Sequence, residues 1–144
     1  MTTEDDVRSA STHFYASLNR MVNGDSASMA DIWSHSADVT GLHPIGGRVQ
    51  GWDAVKASFE KVAQLASGGK IELKDQLIRV AGDMAYEVGV EHGQIRLAGQ
   101  LTILEHRVTN IYQQEAGIWK LVHHHTDISA AMLDVLSRLQ APAS

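Results

Sequence analysis

Three consecutive histidines occupy positions 123–125 in the run Leu121-Val122-His123-His124-His125-Thr126-Asp127. Imidazole titrates near neutral pH and ligates metals, so the run can serve as an acid/base centre, a metal site or simply a polar strand. In an extended strand alternate residues share a face. That rule groups His123 and His125 with Trp119, Leu121 and Asp127, and leaves His124 with Lys120, Val122 and Thr126. A four-residue turn over 114–117 sets Tyr112 opposite Trp119, Asn110 opposite Leu121, Val108 opposite His123 and His106 opposite His125. His106, His123 and His125 then cluster, and with Asp127 they offer ligands for a zinc-like ion. A turn one residue different moves His106 to the other face, so no metal site is assigned. His123 and His125 are read as strand residues facing a pocket or a dimer interface, with the pocket preferred.

Other chemistry-bearing residues are scattered. His43 lies in His43-Pro44-Ile45-Gly46, at the end of a short extended run. Glu87 and Glu91 share one strand parity, as do Glu105 and Arg107, which allows either a buried carboxylate–guanidinium pair or solvated edge charges. The Gly-Gly pairs at 46–47 and 68–69 lack the Lys-Ser/Thr ending of a phosphate-binding loop, and no Gly-x-Ser-x-Gly elbow occurs.

The elements that must position these side chains follow from periodicity. Val7, Ala10, Phe14, Leu18, Met21 and Val22 recur at helical spacing behind Thr3 as cap and three acids, and Gly24 stops this helix. A second, short helix runs through Met29, Ile32 and Trp33, capped by Asp25 or Ser26; a strand ends at Pro44. Trp52, Val55, Phe59 and Val62 mark a third helix, closed by Ser67-Gly68-Gly69. Four β-rich runs follow, broken at Gly82-Asp83, by a loop over 93–99 and at 113–117, and Met132, Leu133, Leu136 and Leu139 form a last helix capped by Ser129. The plan is α+β in a single domain spanning 1–144. A curved, mainly antiparallel sheet carries three N-terminal helices over one face and a short C-terminal helix. Apolar residues at both strand parities, such as Ala85 with Val88 and Val90, imply that the second face is covered too, most economically by a second copy in a homodimer.

Composition narrows the function classes. With no cysteine there is no thiolate metal site and no cysteine nucleophile. A net charge of -5 with twelve scattered basic residues argues against a nucleic-acid partner. No apolar run of membrane-spanning length occurs, and the acidic start "MTTEDDVRSAST" is unlike a secretory signal, so no membrane partner and a cytoplasmic location are expected.

The stretches "LNRMVNGD", "VTGLHPIGGRVQGWDAVKASFEKV" and "VTNIYQQEAGIWKLVHHHTD" resemble the nuclear-transport-factor-2-like (NTF2-like) superfamily. That group includes SnoaL-like polyketide cyclases, ketosteroid isomerases, scytalone dehydratases and the association domain of calcium/calmodulin-dependent kinase II. The resemblance implies a cone-shaped sheet that the helices close around a small-molecule pocket. It also places His43 where the isomerases carry their general-base aspartate. Their tyrosine falls at about Ser17 and their protonated aspartic acid at about Thr109 or Asn110, so ketosteroid isomerisation itself is not expected. Strand arginines of the kinase association domain match Glu91 and Asn110, which argues against an anion pocket. His43 and Asn110 are the expected catalytic residues, and Tyr15, Trp33, Phe59, Glu91, His106, His123 and His125 the expected ligand contacts. The function expected is cofactor-independent isomerisation, dehydration, hydration or cyclisation of a mostly apolar metabolite. A non-catalytic binding or dimerisation module is the alternative, and a metal-dependent enzyme built on His106, His123 and His125 is a third reading.

Overall fold

The structure, a computed structural model, describes residues 3–140. Its elements are α1 (Thr3–Met21), α2 (Met29–Ile32), β1 (Thr40–Leu42), β2 (Val49–Gln50), α3 (Trp52–Leu65), β3 (Ala66–Ala81), β4 (Met84–Leu97), β5 (Gln100–Glu115), β6 (Ile118–Thr126) and α4 (Ala130–Gln140). The strands form one curved, unclosed sheet of order β2-β1-β6-β5-β4-β3, antiparallel except where β1 runs parallel to β6. The expected α+β plan is what is found, with β1 and β2 added at one edge of the four-strand meander.

α1 carries Glu4, Asp5 and Asp6 in its first turn and buries Val7, Phe14, Leu18 and Met21 at helical spacing. Thr3 is already helical, so it is not the cap. The helix stops in a Schellman motif: Asp25 N–H bonds Arg20 O, Gly24 N–H bonds Met21 O, and Gly24 takes φ +101°. Ser28, rather than Asp25 or Ser26, precedes α2, and Asp25 instead accepts from Ala27 N–H at 3.0 Å. At α4, Ser129 Oγ accepts from Met132 N–H at 3.2 Å, the expected cap.

Two expected loops are strand. Ser67-Gly68-Gly69 does not close α3, because β3 begins at Ala66 and runs through it. The reason is a side chain on α1: Asn19 accepts from Ile71 N–H at 2.7 Å and donates to Ile71 O at 3.0 Å, acting as one residue of a neighbouring strand along this edge. Asn23 adds a bond to Gly69 O at 3.0 Å. The stretch expected as a loop at 93–99 pairs almost throughout, leaving Ala98-Gly99 as a two-residue turn.

The last hairpin also turns in two residues, Ala116 at φ 52° and Gly117 at φ 80°, the left-handed pair that suits a tight antiparallel connection. Tyr112 therefore pairs with Leu121, not Trp119. Past this point the ladder skips a residue: Ile111 pairs with His123, so Val122 is an extra residue in a β-bulge. β6 changes its other neighbour at the same place, from the Trp33 bridge at Leu121 to β1 at His123. The bulge reverses the alternation. Trp119 and Leu121 point into the core, and beyond Val122 it is His124 and Thr126 that are buried while His125 is exposed.

The helices fill the concave side, where Phe14, Trp33, Phe59, Tyr112 and Leu121 are buried, each contributing about 1.5–3 kcal/mol by apolar area. The other side leaves Met84, Tyr86, Leu101 and Ile103 exposed. Among the described residues no helix is long and apolar enough to cross a membrane.

Candidate functional site

A cavity of about 50 Å³ lies between the concave face, α1 and α3, with Met132 of α4 across it. Its walls are mostly aliphatic, and its polar atoms come from His43, Ser58, Glu91, His106 and His124. Each imidazole is fixed by one bond that also fixes its tautomer. His43 follows β1, and its ring lies back on the strand because Gly41 has no side chain; a Cβ there would come within 3.0 Å of His43 Nε2. Ser58 gives its hydroxyl proton to Val55 O at 2.6 Å, so at 2.9 Å it must accept from His43 Nε2–H. The lone pair of His43 is thus on Nδ1.

His124 is set by a longer chain. Asn110 donates through Nδ2 to Glu87 Oε1 at 3.0 Å and to the Tyr15 hydroxyl at 3.1 Å, so its Oδ1 accepts from His124 Nδ1–H at 2.6 Å. His124 Nε2 therefore carries the lone pair, 4.0 Å from Glu91 Oε2. Glu91 takes bonds from Tyr15 OH at 2.9 Å and from His106 Nε2–H at 2.7 Å. The remaining nitrogen of His106, Nδ1, is buried and makes no hydrogen bond. Behind this layer Glu87, fully buried, accepts from Gln76, Asn110 and Tyr112 at 2.6, 3.0 and 2.9 Å. Gln76 reaches it because a β3 bulge at Asp75, φ 56°, turns it inward.

Burial dominates the electrostatics. Desolvation, reinforced by the neighbouring His124, lowers the pKa of His43 from 6.5 to about 3, so the ring is neutral at physiological pH. Desolvation also lowers His124, partly offset by the Glu91 charge. For Glu91 burial alone would raise the pKa, but the His106 bond, the adjacent imidazoles and the Tyr15 hydroxyl together bring it below the usual carboxylate value. Tyr15 is raised well above the ordinary phenol value by burial and then by the Glu91 charge, and Tyr112 likewise by burial and Glu87. The site holds an ionised carboxylate beside the neutral imidazoles of His43 and His124 in an apolar chamber.

A family model described as the SnoaL-like domain matches residues 7–131, well over half of the chain. The chain belongs to the SnoaL-like domain family. Solved structures similar to this SnoaL-like domain include a candidate dehydratase of the NTF2-like family from Streptomyces avermitilis, at 23% identity over 87% of this chain and 94% of that one, TM-score 0.76. An NTF2-like superfamily protein from Salmonella enterica serovar Typhimurium gives 16% identity over 88% and 91%, TM-score 0.77. The CaMKII hub of S. rosetta gives 20% identity over 88% and 97%, TM-score 0.70. At these identities the likeness establishes the fold. No curated protein matches the chain.

Within the SnoaL-like domain, of the site residues named from the sequence, His43, Phe59, Glu91 and His106 line the cavity. Tyr15 and Asn110 stand one layer back, holding Glu91 and His124. Trp33 is core, packed on Phe59 at 5.8 Å between ring centroids. His123 and His125 are the clear displacement: the Val122 bulge turns them to the other side, where His123 bonds Thr40 Oγ1 at 2.6 Å and meets the His125 ring at 5.9 Å. The trio of His106, His123 and His125 is therefore not brought together, and among the described residues no three such side chains form a metal-holding group. The carboxylates at 87 and 91 are buried, but amides, phenols and an imidazole serve them in place of a guanidinium, while Arg107 pairs with Asp127 at the surface. The residues sequence reasoning missed are His124, Gln76 and Ser58. Only a bulge assigned at Val122 could have pointed to His124.

Proposed function

We propose that this SnoaL-like domain is a cofactor-independent proton-transfer catalyst acting on a mostly apolar small molecule, with His124 as the base. One observation carries the reading: the His124 ring is held through Nδ1 by Asn110 while its lone-pair nitrogen, Nε2, stands 4.0 Å from the Glu91 carboxylate in an apolar cavity. When Nε2 accepts a substrate proton the ring becomes an imidazolium, and the adjacent carboxylate stabilises that charge in surroundings with little water. Returning the proton to a second carbon gives isomerisation; returning it to a departing hydroxyl gives dehydration. His43, whose ring centroid is 5.7 Å from that of His124, bonds Ser58 rather than a carboxylate and has a conjugate acid of pKa about 3, which suits a hydrogen-bond acceptor that orients substrate better than a base.

The test is incubation in D2O with a panel of β-hydroxy and unsaturated ketones, followed by mass spectrometry for deuterium uptake or loss of water. His124→Gln should lower the rate by about 100-fold or more and His125→Gln should leave it unchanged. Equal rates in both variants sink the assignment, and binding without any turnover favours a binding module. We also infer that two copies pair through the outer face, where Tyr86 neighbours Ile111 and Val122 adjoins them. Tyr86→Lys with Ile111→Lys should shift the sedimenting mass from dimer to monomer.

A further inference from the structure

The hydrogen-bond directions around the cavity form a one-sided set. His43 has spent its N–H on Ser58, His124 on Asn110 and His106 on Glu91. His43 Nδ1 and His124 Nε2 keep their lone pairs, and His106 Nδ1 is buried with no partner inside the protein. The nearby hydroxyls have given their protons away too, Ser58 to Val55 O and Tyr15 to Glu91. Around His43 and His124 the inner cavity therefore presents acceptors and a carboxylate. A carboxylate ligand would meet the Glu91 charge and the two lone pairs. A buried acceptor left unpaired carries a desolvation cost that a ligand O–H or N–H removes.

The cavity also has a second compartment. A neighbouring chamber of about 170 Å³ shares Ile45, Val62 and Met132 with it and continues outward past Leu97, Leu136 and Leu139. Met132 is unbranched and flexible, a wall that yields by rotation. The inner chamber alone, at about 50 Å³, is below the usual range of ligand pockets. The two together accept a ligand with a compact polar end and an apolar tail.

We propose that the ligand is an amphiphile whose head donates hydrogen bonds, a phenol, enol or hydroxyl, to the lone pairs of His43 and His124, and whose hydrocarbon tail lies beneath α4. The inference deepens the proton-transfer reading, on which it rests only for the location of the site. A donating hydroxyl in that position is also the group a dehydration would remove.

The experiment is calorimetric binding of the full chain to para-butylphenol, para-butylanisole and para-butylbenzoate, with phenol and para-ethylphenol for tail length. The phenol should bind at least about tenfold more tightly than the anisole, which has the same shape and no donor, and than the benzoate. Affinity should rise about fourfold per added CH2, and the exposed Leu139→Gln should weaken para-butylphenol while leaving phenol itself unchanged. The nitrogen resonance of His124 Nε2 should move on adding the phenol and not the anisole. Anisole or benzoate binding as tightly as phenol overturns the donor assignment, a flat tail series overturns the outer chamber, and no binding of any of them overturns both. These phenols are ligands without turnover, so the result is independent of catalysis. Donor preference together with a fully active His124→Gln would sink the proton-transfer reading alone, and the reverse pattern would sink the ligand class alone.

Discussion

Acidification should destabilise this domain well before its carboxylates titrate, and His43 sets the scale. Its pKa is about 3 in the folded chain and 6.5 as the ordinary value, so between those limits the unfolded chain binds a proton that the folded chain refuses. A depressed folded pKa means that the stabilisation is complete above the unfolded value and is lost as pH falls from there towards the folded one. The loss is about 1.4 kcal/mol per pH unit, or about 2 kcal/mol at about pH 5, from this one ring. His124 is shifted in the same direction by burial and adds to the loss, and Glu91, lowered from 4.5, joins at lower pH. Urea unfolding at about pH 7.5 and about pH 5 reads the total, and His43→Gln isolates the part due to His43, because glutamine can still donate to Ser58 and has nothing to titrate. The wild type should lose about 2 kcal/mol more than the variant across that interval. Equal losses, within about 0.5 kcal/mol, would refute the claim that the ring is buried neutral.

Three substitutions test the architecture behind the site, each by urea unfolding at neutral pH. His124→Ala leaves Asn110 Oδ1 unpaired in the core and should cost about 2–4 kcal/mol, whereas exposed His125→Ala should stay within about 0.5 kcal/mol; equal effects would mean the bulge is misplaced. Glu87→Ala removes the acceptor from half-buried Gln76 and from buried Asn110 and Tyr112 and should cost at least about 3 kcal/mol, with Glu87→Gln milder. Gly93→Ala would place a Cβ 1.9 Å from Lys70 O, so a soluble variant of wild-type stability would contradict the close approach of β3 to β4 where Ile71 pairs with Gly93.

Much of the frame was legible because it is written in local patterns. The apolar spacing of α1, the period-two runs of β3 to β6 and the Ser129 cap each depend on neighbours a few residues away. The errors have a common cause. Ser67-Gly68-Gly69 reads as a loop until Asn19, some fifty residues earlier, supplies the hydrogen bonds of a missing strand. Glu87 and Glu91 share a parity that was visible in the sequence, but which donors would surround them depended on α1 and on the β3 bulge at Asp75, and neither is encoded near them.

The histidine run shows where the division falls. The sequence by itself determined that these residues lie on a strand, that neighbours in the run point to opposite sides, and that His43 ends an extended segment near a turn. Which histidine faces the cavity was decided by tertiary structure. One extra residue, Val122, enters β6 where its edge partner changes from the Trp33 bridge to β1, and a period of two turns a single insertion into a complete exchange of faces. That exchange puts His124 against Asn110 and Glu91, and leaves His123 and His125 on the other side of the sheet.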